Sequence, residues 1–111
     1  AASDVYKRQA DETIYHELGH FLAFIAGNVD QSSAFASVYN SEKAKFTGYN
    51  KAYATQNAAE YFAESVKDYM LNGAALSSQR PNTYKAIQSA LNTVTTARAD
   101  VILKAYSSIW S

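Results

Sequence analysis

The stretch His16-Glu17-Leu18-Gly19-His20 decides how this chain folds, together with the segment Glu60-Tyr61-Phe62-Ala63-Glu64, which begins 40 residues after His20. Residues four apart on a helix lie on one face, so the imidazoles of His16 and His20 can converge on one metal ion. They are the only two histidines in the chain. The alternative is a chance HExxH string that holds an ordinary structural histidine pair. The metal interpretation requires the 60–64 segment to return to this helix.

The metal must be held by histidine and carboxylate, because the chain contains no cysteine for a thiolate zinc site or a disulfide. A catalytic zinc site uses three protein ligands and leaves one position open for water. The two histidines therefore need one carboxylate. Glu60 and Glu64 are one helical turn apart, and their spacing lets either face the site. One acid can bind Zn²⁺ while the other accepts the remaining N–H of a histidine.

Glu17 is the candidate general base, because it lies between the two histidines but points off the ligand pair. Two neutral imidazoles and one carboxylate leave Zn²⁺ with net positive charge, which lowers the pKa of a bound water towards 7. Glu17 can take the proton of that water and later return it to a leaving group. The segment before Glu60 also offers two tyrosine hydroxyls, Tyr53 and Tyr49, either of which could donate a hydrogen bond to a negative charge that develops at the site.

The composition of the chain limits the kinds of molecule that it can bind. The chain has 111 residues, which suits one domain or part of one. Ten basic and ten acidic residues give zero net charge, which argues against a nucleic-acid or anionic-membrane partner. No apolar run approaches the roughly 20 residues that span a bilayer. Nine tyrosines suit an extracellular surface or a peptide-binding cleft, and nothing indicates an oligomeric state.

Helical periodicity predicts the first two helices. Residues 1–9 are polar and aperiodic, and their string SDVYKRQ resembles a translated sequencing-adapter remnant, so we expect a non-native or disordered leader before a domain at 10–111. The first helix should start at Asp11 or Thr13 and end at Gly27-Asn28, with Gly19 marking a close approach of another chain segment. Its predicted core stripe is Ile14, Leu18, Phe21, Leu22 and Ile25. Residues 32–46 should form a weaker helix capped by Ser32 or Ser33, with apolar contacts from Phe35, Val38 and Tyr39.

A loop is predicted for residues 47–55, followed by further helices. The third helix should run from a Thr55 N-cap to Asn72-Gly73. Its apolar side is predicted to be Tyr61, Phe62, Val66, Tyr69 and Met70. Its acidic side chains, Glu60, Glu64 and Asp68, form a stripe four residues apart. The alternative to a role at the metal is that this stripe is a solvated face with Lys67 beside it. A fourth helix should begin at Pro81 and bury Tyr84, Ile87, Leu91 and Val94, and a last one should span 98–110 with Ile102, Tyr106, Ile109 and Trp110.

The strings YHELGHFL (15–22) and YATQNAAEYFAESVKDYM (53–70) resemble the zinc peptidase domain of the anthrax lethal factor family. That family includes the secreted Pro-Pro endopeptidases of Gram-positive bacteria, and the resemblance covers roughly residues 11–95. By position, it implies that Glu60 is the third zinc ligand and that Glu64 is the second acid of the motif. It also implies that Tyr53 is the tyrosine that faces the metal.

The resemblance implies a mainly α, zincin-like catalytic subdomain with the HExxH helix packed on the third-ligand helix. We expect the family's upstream β-part, which binds extended substrate, to be missing. The implied function is a secreted zinc endopeptidase that cuts extended peptide or protein segments. One alternative is a non-catalytic zinc-containing binding or toxin-type module, against which Glu17 and Tyr53 argue. The other is a structural zinc domain, which would be expected to close its fourth position with another Cys or His.

Overall fold

The computed structural model describes the backbone of residues 2–48 and 50–95, and side chains from residue 11 onward within those ranges. The described part contains five helices and no strand, which confirms the predicted mainly α class. They are α1 (Ala2–Ile25), α2 (Ser33–Glu42), α3 (Lys51–Ala54), α4 (Ala58–Gln79) and α5 (Pro81–Thr93). Single 3₁₀ turns, Val29–Gln31 and Lys43–Lys45, flank α2. The predictions for Tyr49 and for a helix at 98–110 lie outside the described residues.

The first helix is longer than predicted at one end. It already includes Ala2, so the predicted start at Asp11 or Thr13 is wrong. The interpretation of residues 1–9 as a non-native leader stays a prediction. At the other end, α1 stops where expected, because Gly27 and Asn28 adopt positive φ angles of 87° and 59°. Left-handed backbone at these two residues ends a right-handed helix.

The buried face of α1 differs from the predicted stripe. Leu22 is buried and Ile25 packs against the core, as predicted, but the other three members are between 41% and 54% exposed: Ile14, Leu18 and Phe21. Small residues, Gly19 and Ala23, instead share the buried side with Leu22. Because a contact made by small side chains contributes little to apolar periodicity, the hydrophobic pattern identified only part of the buried face of the helix.

Aromatic contacts join α2 to α4. The Ser32 hydroxyl accepts a hydrogen bond from the Phe35 amide at 3.1 Å, which confirms the predicted N-cap of α2. The Phe35 ring packs against those of Tyr61 and Phe62, with centroids 6.0 and 5.1 Å away. Tyr61 and Phe62 are fully buried, as predicted. Val66 is buried as well, whereas Met70, which was also predicted on this apolar side, is 54% exposed.

The predicted limits of the third helix are wrong at both ends. The N-cap is Asn57 rather than Thr55, since its side chain accepts the Glu60 amide at 2.8 Å. At the other end, Asn72 has non-helical angles (φ −158°, ψ 75°), but the chain resumes a helix and continues to Gln79. The Asn72 side chain accepts the Ala75 amide at 3.3 Å, as an N-cap does. The predicted stop is thus a kink, and the predicted loop at 47–55 contains the short helix α3.

Glu42 links the end of α2 to the start of α5. Its buried carboxylate accepts hydrogen bonds from the amides of Asn82 (3.1 Å) and Thr83 (2.7 Å) and from the Thr83 hydroxyl (2.7 Å). Pro81 occupies the first turn of α5, as predicted. Along α5, Ile87 is buried as predicted, whereas Leu91 is exposed. None of the described helices is both long and apolar enough to cross a bilayer.

Candidate metal centre

Three side chains from α1 and α4 meet at one point. The Nε2 atom of His16 lies 3.0 Å from Oε2 of Glu60, and the Nε2 atom of His20 lies 3.3 Å from its Oε1. One potential ligand atom from each residue lies within 4.8 Å of those from the other two. Two imidazole nitrogens and one carboxylate oxygen are the donor set of many catalytic zinc sites. These three residues could therefore hold a metal ion together.

Gly19 explains how the two helices come close enough for this meeting. A Cβ atom at this residue would lie 2.6 Å from Cα of Ala63 and 2.7 Å from its carbonyl oxygen. Only glycine allows this approach without displacement of α4. Ala63 stands between Glu60 and Glu64, so the contact lies directly beside the acids that face the histidines. The close approach predicted at Gly19 is confirmed.

Glu64 occupies a different place from Glu60. It is 3% exposed, and its Oε2 lies 2.7 Å from Nδ1 of His16. Its Oε1 accepts hydrogen bonds from Nδ2 of Asn50 (2.8 Å) and from the Lys67 ammonium. A carboxylate can only accept, so His16 donates its Nδ1–H. In the neutral imidazole, Nε2 then carries a lone pair. Because the Glu60 carboxylate can also only accept, their 3.0 Å contact requires a proton on Nε2 or a cation between the two atoms.

The environment keeps Glu64 and Lys67 charged. Burial raises the pKa of Glu64, but hydrogen bonds from Lys67, Asn50 and His16 outweigh it and hold this pKa below its usual value. Burial lowers the pKa of Lys67, and the hydrogen bond and charge of Glu64 outweigh that effect, so this pKa is raised. Each group thus stabilises the ionised form of the other.

An open cleft of about 520 Å³ lies beside the three-residue cluster. It is lined by Glu12, Thr13, His16, Glu17, Asn50, Tyr53, Glu64 and Lys67. The Tyr53 side chain is 52% exposed, and its ring centroid is 6.0 Å from that of His16. A hydrogen-bond interaction with Glu60 and the charge of that carboxylate raise the pKa of the Tyr53 phenol. The cleft therefore brings a carboxylate, Glu17, and a protonated hydroxyl to the side of the candidate metal position.

Sequence reasoning missed two residues that surround Glu64. Lys67 appeared only in the alternative interpretation of the acidic stripe as a solvated face, although its position three residues after Glu64 on a helix could have indicated an ion pair. Asn50 carried no such signal, because 14 residues separate it from Glu64 in the sequence. The third member of the predicted acidic stripe, Asp68, does not join the cluster. Its Oδ2 is 2.6 Å from Nη2 of the buried Arg80.

Comparison with known proteins agrees with the resemblance read from the two motifs. The family model described as "Anthrax toxin lethal factor, N- and C-terminal domain" matches residues 2–90. Comparisons with curated proteins and with solved structures give no significant match. The family match covers most of the chain, including α1, α4 and the residues that form the cluster. The chain belongs to the family of the anthrax toxin lethal factor N- and C-terminal domains.

Proposed function

We propose that this protein is a Zn²⁺-dependent endopeptidase in which His16, His20 and Glu60 hold the metal. The observation that carries the proposal is the convergence of both Nε2 atoms on one carboxylate, at 3.0 and 3.3 Å. The donor set has three members, and a cleft opens beside it. A structural zinc site would instead be expected to have a fourth protein ligand.

The residues of the cleft have the chemistry that peptide hydrolysis needs. Zn²⁺ held there would act as a Lewis acid towards water and the substrate carbonyl. Glu17 would accept the proton of the attacking water and return it to the leaving amine. Tyr53 would donate a hydrogen bond to the oxyanion that develops on the substrate. Glu64 would orient His16 through Nδ1.

Three features support a peptide or protein substrate and an extracellular location. The cleft is open, which admits an extended chain rather than enclosing a small molecule. The balanced charge of the protein gives no electrostatic attraction for nucleic acid. The family is named after a toxin component, which supports secretion. We therefore propose a secreted peptidase.

The test measures metal content and peptide cleavage on the same protein. After loading and desalting, we expect about one zinc ion per chain, and His20→Ala should remove it. Incubation with a mixed peptide library should give cleavage products by mass spectrometry. A chelator should abolish these products, and added Zn²⁺ should restore them. Failure to bind zinc would refute the proposal, whereas zinc binding without cleavage would favour the non-catalytic binding or toxin-type module.

A further inference from the structure

Lys67 is a buried cation next to the candidate metal centre. Its residue is only 8% exposed, which is rare for lysine because burial of an unpaired ammonium is costly. The ammonium donates to Oε1 of Glu64, the acid three residues earlier on α4. No role in binding the metal is available to Lys67, since an ammonium has no lone pair. Its burial therefore points to an action on Glu64.

The two oxygens of Glu64 have different partners. Oε1 accepts from Lys67 and from Asn50, whereas Oε2 faces Nδ1 of His16 at 2.7 Å. Two donors on one oxygen fix the plane and direction of the carboxylate, so the other oxygen stays in line with the imidazole. The resulting chain of contacts runs from α4 through one carboxylate to the ring of His16.

We propose that Lys67 is a positioning residue of the metal centre: it holds the Glu64 carboxylate in the orientation that makes His16 present Nε2 to the metal. The inference rests on the proposed function in that His16 is taken as a ligand. Asn50 donates the second hydrogen bond that fixes the Glu64 carboxylate. It is also the residue before α3, the helix that carries Tyr53, so the same carboxylate ties this helix to the site.

Removal of the Lys67 ammonium should leave the His16 imidazole less well oriented, but it should not remove a metal ligand. Loss of a group that orients a metal ligand lowers metal affinity by about 10- to 100-fold. We expect a loss of this size for Lys67→Met. Lys67→Arg should recover most of the affinity, because it keeps a charged donor and Lys67 borders the open cleft. Lys85→Met, at an exposed lysine of α5, is the matched control and should leave the affinity unchanged.

The first readout does not need zinc. The chain has only two histidines, so a histidine-specific ¹⁵N NMR spectrum contains few signals. In the metal-free parent, the Nδ1–H proton of His16 should exchange slowly with water because Glu64 accepts it. In Lys67→Met this proton should exchange at least tenfold faster, whereas in Lys85→Met it should not change. An unchanged exchange rate in a folded Lys67→Met protein would overturn the inference.

A double variant covers the case in which Lys67→Met alone is destabilised by the unpaired Glu64 charge. If Lys67 acts through Glu64, the Lys67→Met/Glu64→Gln protein should bind zinc no more weakly than Glu64→Gln alone. Losses that multiply would overturn the inference. If the parent binds no zinc, the proposed function fails, but the His16 exchange measurement still decides the role of Lys67. The two failures are therefore distinguishable.

Discussion

Gly19 of α1 lies directly against the backbone of Ala63 in α4, with room for no side chain between them. A Cβ atom at Gly19 would come within 2.6 Å of Cα of Ala63. Because Ala63 is flanked by Tyr61-Phe62 on one side and Glu64 on the other, this contact sets the distance between the two motifs. It allows one carboxylate of α4 to reach both histidines of α1.

Gly19→Ala should therefore move the helices apart. Overpacking usually costs about 1–3 kcal/mol of unfolding free energy. A Cβ only 2.6 Å from backbone atoms should cost the upper part of this range, which exceeds the roughly 1 kcal/mol that alanine gains in helix propensity. Zinc affinity should fall as well, because Glu60 moves away from the imidazoles. Urea denaturation and zinc titration measure the two effects.

Gly73→Ala is the matched control for this variant. The atom nearest to a Cβ at Gly73 is Cε2 of Tyr84, 3.8 Å away, which is ordinary van der Waals contact. This substitution should leave zinc affinity unchanged. If Gly19→Ala bound zinc as tightly as the parent and unfolded at the same urea concentration, the contact would not set the geometry of the site.

Helix ends were predictable from the sequence where a single residue type determines the local backbone conformation. The Ser32 cap, the Pro81 start of α5 and the glycine stop after α1 were each identified correctly. The buried face of α1 was identified only in part, because Gly19 and Ala23 make the contact with little apolar surface. Asn72 shows a further limit. Its side chain caps the helix that follows, so a residue that reads as a stop produces a kink.

The residues of the candidate site also differ in how far the sequence alone predicts them. The spacing of His16 and His20 follows from helix geometry and needs no tertiary information. The choice between Glu60 and Glu64 depends on the rotation of α4 against α1, which spacing alone leaves open. Asn50 reaches Glu64 only through the path of the chain before α3. Such a contact depends on the assembled fold and leaves no periodic signal.

The hydrogen bonds of Glu42 predict a pH-dependent stability. Burial raises the pKa of this carboxyl, but the hydrogen bonds from Thr83 and Asn82, with the charge of Lys45, hold it below the ordinary value of 4.5. The folded-state pKa lies below the unfolded one, so ionised Glu42 stabilises the fold above pH 4.5. That contribution should be lost as the pH falls through the folded-state pKa.

At pH 7, Glu42→Gln should lower the free energy of unfolding by about 1.5–3 kcal/mol, the usual range for hydrogen bonds to a charged group. The difference from the parent should narrow once the pH falls below about 4.5. Urea denaturation between pH 3 and pH 7 measures it. Asp30→Asn, at a turn outside the α2–α5 junction, should change stability by less than about 0.5 kcal/mol. A Glu42→Gln effect that stayed constant over this range would contradict the argument.

Glu17→Gln tests the general base without touching a proposed ligand. The variant should bind zinc with the affinity of the parent, because Glu17 lines the cleft but is not among the three clustered donors. Peptide hydrolysis should fall by about 10²- to 10⁴-fold, the usual contribution of general acid–base catalysis. Calorimetric zinc titration and cleavage rates on one peptide measure both. Undiminished cleavage would assign the base to another group.

Glu60→Gln and Glu64→Gln together decide which acid binds the metal. Glu60 lies near Nε2 of both histidines, so replacing its carboxylate with the neutral amide of glutamine should lower zinc affinity by more than about 100-fold. This loss is larger than the one expected when a residue that only orients a ligand is changed. Of the two histidines, Glu64 faces only Nδ1 of His16, so Glu64→Gln should lower zinc affinity by about 10- to 100-fold. Glu17→Gln serves as the charge-matched control. If Glu64→Gln had the larger effect, the ligand would lie one helical turn further along α4. His16 would then have to turn its ring to offer Nδ1 to the metal, and Glu60 would become the acid that holds it.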